Sequence, residues 1–132
     1  LVPREMTNFN IKTVVIGWNA STEVARALTY SLPLLKQAEK VIICTSADSI
    51  NKKPNGNEVV NYLAQHSIKS EFVTFNNGRQ STPKAFMSVA QMHNADLVVM
   101  GAFTHRRIHE QIFGGMTNYV LANTTLPIFM AR

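Results

Sequence analysis

The stretch "DLVVMGAFTHRRIHEQIFGGMT", Asp96–Thr117, decides how this chain folds. It opens with a short apolar run rich in valine, the pattern of a strand buried on both faces. Gly101 follows at once, a residue at which the backbone can turn sharply or a ligand can approach the main chain. His105, Arg106 and Arg107 give the next segment positive charge. Gly114 and Gly115 then lead into a helix predicted from about Gly115 to Asn123. The free N–H groups and the dipole at a helix start favour an anion, typically phosphate. Thr117 and Asn118 can add side-chain donors there. Strand, basic loop and glycine-led helix together read as a phosphate-holding segment. On the glycines alone, a tight loop-to-helix joint explains Gly114-Gly115 as well.

Working outward, four more apolar segments read as strands: Thr13–Gly17, Lys40–Thr45, Glu71–Phe75 and Pro127–Ala131, beside Asp96–Met100. Helical spacing lies between them. Val24, Leu28, Leu34, Leu35 and Ala38 mark a first helix, with Ser21 or Thr22 as its cap and Pro33 as a kink. Val59, Val60, Leu63 and Ala64 mark a second. A third begins with Thr82 as cap and Pro83 at the first helical position, and shows Phe86, Val89, Ala90 and His93 on its apolar face. The order βαβαβαβαβ predicts an α/β fold, a three-layer doubly wound parallel sheet of five strands with helices on both faces. Ligands of such sheets bind beyond the carboxyl ends of the strands. Two places qualify, "GWNAST" (Gly17–Thr22) and the start of the stretch quoted above. The polar segment Ser46–Asn57 is the expected flexible loop.

The composition, 45% hydrophobic and 16% charged over 132 residues, fits one globular domain. A single cysteine, Cys44, excludes an intrachain disulfide framework and predicts a reducing, cytoplasmic setting. It reads as an inert core thiol. No apolar run is long enough for a membrane span, and no signal-peptide core is present. "LVPRE" (residues 1–5) reads as a tag remnant before Met6, which leaves 6–132 as a single domain. The net charge is +5, but lysines and arginines are scattered, so neither nucleic acid nor membrane is expected as a partner. His105 and His109 lack the glutamate of a metalloprotease motif, and no metal is expected. There is no Walker loop, no G-x-G-x-x-G and no nucleophile elbow, which predicts a protein that is not a dedicated enzyme. Met87, Met92, Met100, Met116 and Met130 read as core residues.

Gly101-x2-Thr104-x9-Gly114-Gly115, set on a strand–loop–helix frame, resembles the signature G-x2-G-x9-G-[S/T] of the universal stress protein family. "WNAS" at the first helix, "ADLVVMGA" before the loop and "TTLPIFMAR" at the end extend the resemblance over Ile11–Arg132, and the pattern looks most like bacterial members. The C-terminal halves of tandem members are also similar. The resemblance implies strand order 3-2-1-4-5, the adenine nucleotide alpha hydrolase-like fold, and a stress-response regulator. It implies ATP or another adenine nucleotide as cofactor in some members. Carried over, adenine and ribose contacts fall on Gly17, Trp18, Asn19 and Thr45. Ribose and phosphate contacts fall on Gly101, Thr104, His105, Arg106, Gly114, Gly115, Met116 and Thr117. Trp18 either fills the core or lines or blocks the adenine pocket. The resemblance also implies a homodimer through the last strand (Pro127, Ile128, Phe129, Met130, Ala131), with Ile128 and Met130 or Phe129 across the axis. Three positions depart from the pattern: Asn19 for aspartate, Thr104 for glycine and Gly115 for serine or threonine. Loss of the hydroxyl removes a hydrogen bond to charged phosphate worth roughly 1.5–3 kcal/mol. A nucleotide-free dimeric interaction protein of the same fold, or a weak ATPase, stays open on these grounds.

Overall fold

The computed structural model describes residues 11–19, 22–47, 56–101 and 126–131. The strands are β1 (Thr13–Gly17), β2 (Lys40–Ser46), β3 (Glu71–Phe75), β4 (Leu97–Gly101) and β5 (Ile128–Ala131). The helices are α1 (Thr22–Tyr30), α2 (Leu32–Gln37), α3 (Gly56–Gln65) and α4 (Thr82–Met92). The five strands form one sheet in the order β3-β2-β1-β4-β5, and every pairing is parallel. The helix expected over Gly115–Asn123 lies outside the described residues.

Alternation along each strand divides the core between the two faces of the sheet. Val14 and Ile16 of β1 and Val41 and Ile43 of β2 pack with Val24, Leu28, Leu35 and Leu63, which places α1, α2 and α3 on one face. Val15, Ile42, Cys44 and Val98 pack with Phe86, Met87 and Ala90 of α4 on the other. Since both faces of β1, β2 and β4 are covered, their sequences are continuously apolar rather than alternating.

Pro33 acts more strongly than a kink. The chain breaks at Ser31, and α2 starts anew with Pro33 in its first turn, where a missing N–H costs nothing. Ser31 is fully buried, and its hydroxyl donates to the Leu28 carbonyl at 3.0 Å. The cap of α4 is Ser81 rather than Thr82, so Pro83 takes the second helical position. Thr22 is already helical in α1, which leaves Ser21, outside the described residues, as the capping candidate. His93 is the C-terminal cap of α4 and half-buried. The polar loop is shorter than expected at both ends, since Ser46 belongs to β2 and Gly56 opens α3. Met92 is 74% exposed and leaves the expected set of core methionines. No helix among the described residues is long and apolar enough to cross a membrane.

Asp96, just before β4, ties the amino-terminal edge of the sheet. One carboxylate oxygen accepts from the N–H groups of both Lys12 and Thr13 at 2.9 Å. Its own N–H donates to the Thr13 carbonyl at 2.8 Å.

Candidate functional site

β1 lies between β2 and β4, so the chain order reverses at its carboxyl end, the place where open parallel sheets leave a crevice. Five of the residues expected to contact a nucleotide are described, and all stand at this edge. Gly17 closes β1, Trp18 and Asn19 follow it, Thr45 lies near the end of β2, and Gly101 closes β4. Thr104, His105, Arg106, Gly114, Gly115, Met116 and Thr117 lie outside the described residues.

Packing explains both glycines. A Cβ on Gly17 would meet the Phe86 ring at 3.0 Å, on the α4 face. A Cβ on Gly101 would lie 2.7 Å from the Val24 nitrogen and 2.9 Å from the Glu23 Cβ. Gly101 is a strand residue paired with Ala131, and its φ is not positive. Gly101 therefore does not use the left-handed conformation that glycine allows, and the segment that follows it lies outside the described residues. Glycine is required because the first turn of α1 presses directly onto the strand end.

On the α1–α3 face, the edge also carries polar atoms. The Trp18 N–H extends the ladder by donating to the Cys44 carbonyl at 2.8 Å, which sets Trp18 beside Thr45. The indole packs against the core on the α1–α3 face. Cys44 points to the α4 side, so the next residue, Thr45, points to the indole's side. Thr45 is 1% exposed, and its Oγ1 has no hydrogen-bond partner among the described residues. Trp18 Nε1 and Glu23 Oε2 are likewise buried without a partner among the described residues. Leaving one such group unsatisfied costs about 1–3 kcal/mol. Indole N–H can only donate, a carboxylate can only accept, and a hydroxyl does both. This donor and acceptor set suits a ligand that offers ring nitrogens and hydroxyls. Glu23 stands in the first turn of α1, and its approach to Gly101 is not visible along the chain.

On the α4 face of the edge, the Ser46 hydroxyl donates to Asn77 Oδ1 at 3.1 Å. Below it lies the one thiol. Burial pushes the Cys44 pKa from 9.0 up to about 12, which fits an inert core cysteine.

The sequence profile of the Universal stress protein family matches residues 10–132. No curated protein matches the sequence significantly. Solved structures do. A universal stress protein from Archaeoglobus fulgidus superposes with a TM-score of 0.71 at 17% identity, covering 93% of this chain and 99% of that one. A universal stress protein family structure from Burkholderia pseudomallei gives 0.64 at 13% identity, over 90% and 94% of the two chains. A universal stress protein in complex with cAMP gives 0.58 at 17% identity, over 90% and 94%. The shared architecture is the adenine nucleotide alpha hydrolase-like fold, with the strand order described above. With the profile matched over nearly its whole length, the chain belongs to the universal stress protein family.

Proposed function

We propose that this protein is a stress-response regulator that binds an adenine nucleotide at the carboxyl edge of β1, β2 and β4. The observation that carries the reading is the set of buried polar atoms there that find no partner among the described residues, Trp18 Nε1, Thr45 Oγ1 and Glu23 Oε2. A nucleoside supplies the acceptors and donors they lack. Its base would sit against Trp18 and Thr45, with its ribose near Asn19 and the β4 end. The phosphates would run from Gly101 toward Thr104, His105, Arg106 and Gly114–Thr117. The complex of a similar fold with cAMP supports an adenine nucleotide as the ligand class. Gly115 lacks the hydroxyl of the family signature, and Asn19 lacks the charge, so ATP is bound weakly. The role is binding, with no dedicated catalytic step, and the buried reduced thiol fits a cytoplasmic setting.

Trp18 is the only tryptophan of the chain, so its fluorescence reports on this edge alone. Titration with ATP and with cAMP is expected to change that emission saturably, with matching heats in calorimetry. Absence of both signals at millimolar nucleotide overturns the reading. It would favour the second one, a nucleotide-free interaction protein, for which the observation is the packing of the Trp18 ring against the core at the β1 exit.

A further inference from the structure

The connection from β3 to α4 contains the dipeptide Asn77-Gly78. Gly78 has φ of 60°, and the Gln80 N–H donates to the Asn77 carbonyl at 2.9 Å, which makes a tight turn with Gly78 at its first central position. Gly78 is exposed, and a Cβ there would meet nothing within 4 Å. Its N–H donates to no backbone carbonyl among the described residues. Beside it, the Asn77 side-chain carbonyl accepts the Ser46 hydroxyl at 3.1 Å, and Ser46 is only 5% exposed.

From this juxtaposition we propose that Asn77-Gly78 is a site of spontaneous covalent modification, deamidating to aspartyl and isoaspartyl forms with Ser46 assisting. The Gly78 nitrogen loses its proton and attacks Asn77 Cγ, forming a C–N bond. The Cγ–Nδ2 bond breaks, and ammonia leaves carrying a proton. Water then opens the resulting succinimide at either carbonyl. One water is consumed and one ammonia released, with no oxidant or reductant. Glycine places no side chain in the way of the attack. The Ser46 hydroxyl already points at Oδ1, where negative charge develops in the tetrahedral intermediate, and a placed donor stabilises such charge. The product carries a new carboxylate at the carboxyl edge of β2 and β3. The isoaspartyl form also adds a methylene to the main chain in the turn that leads to the Ser81 cap of α4.

The test is incubation of the folded chain at mildly alkaline pH, followed by tryptic mapping of the peptide Ser70–Arg79. The expected result is time-dependent replacement of the amide by a hydroxyl at Asn77, with two separable isomers. An unmodified peptide, or modification confined to Asn76, overturns the site. Asn77→Gln is expected to lose the mass shift, because attack would then require a six-membered ring; a persistent shift counts against the mechanism. Ser46→Ala, with its folding checked by melting, is expected to slow the reaction. An equal or faster rate overturns the role of Ser46. The wild-type measurement decides the site without any variant.

Discussion

Thr45 shows how one side chain can serve binding at a cost to stability. Its hydroxyl is buried and without a partner among the described residues. Thr45→Val keeps the shape and removes the hydroxyl. In the ligand-free protein the change is expected to be neutral or stabilising, read as the urea midpoint, because a buried orphan is removed. Nucleotide affinity is expected to fall by the worth of one neutral hydrogen bond, about 0.5–1.5 kcal/mol, in calorimetric titration. A loss of stability with unchanged affinity would place Thr45 in the packing alone. Cys44 gives a second prediction. Its thiol ionises at 9.0 when unfolded and at about 12 when folded, raised by burial. The unfolded chain therefore gains from ionisation first. Stability from this group is intact below pH 9 and declines as pH rises toward the folded value, by about 1.4 kcal/mol per pH unit. Lysines and tyrosines titrate in the same range, so the measurement is the difference in urea midpoints between wild type and Cys44→Ala across that window. The wild-type curve should fall more steeply.

Elements are held in place by a few polar residues at their ends. Asp96 joins the starts of β1 and β4 by accepting two main-chain N–H groups on one oxygen. Asp96→Ala leaves both without that acceptor. Because the Lys12 end is exposed, water replaces part of the loss, and the expected destabilisation is about 1–3 kcal/mol in urea unfolding. Asp96→Asn keeps a neutral acceptor and should lose less. If alanine and asparagine behave like wild type, the carboxylate is not what aligns these strands. The break between α1 and α2 follows the same logic. Pro33 cannot continue a helix from Ser31, and the buried Ser31 hydroxyl satisfies the Leu28 carbonyl that the break would otherwise strand.

At the scale of the molecule, β5 is one edge of the sheet, and an apolar edge invites pairing. The homodimer proposed through this strand takes a more specific form from the register. Ile128 is 1% exposed and belongs to the chain's own core, so it cannot pack across a twofold axis. Phe129, Met130 and Ala131 are half-buried and remain as contact residues. The Val98 N–H donates to the Pro127 carbonyl, which turns the Phe129 N–H toward β4 and the Met130 N–H toward the free edge. Met130→Pro removes an outward donor and leaves the β4 ladder intact. Light scattering should give a dimer mass for wild type and a monomer mass for this variant, with the helical circular dichroism retained. A monomeric wild type at micromolar concentration would exclude the interface.

The division between sequence and tertiary structure follows the range of the forces involved. Short Val- and Ile-rich runs such as "TVVIG", "KVIICT" and "DLVVM", separated by helical spacing, determined by themselves the five strands, their parallel pairing and the two covered faces. Burial on both faces leaves a strand no polar alternation, and that imprint is local. The family signature at Gly101–Gly115 likewise lies within one stretch of chain and is legible there. Helix ends were less legible: Ser81 and Thr82 are both good caps by residue type, and the extended backbone at Ser81 is what makes it the cap. Only the fold could show why Gly17 and Gly101 are glycine, since Phe86 and Val24, distant in sequence, press on them. The resemblance grouped Trp18 with Thr45, but the meeting of Glu23 with the end of β4 was hidden. It depends on which strands flank β1 and in what register, and such non-local pairing leaves no periodic mark in the residues that it joins.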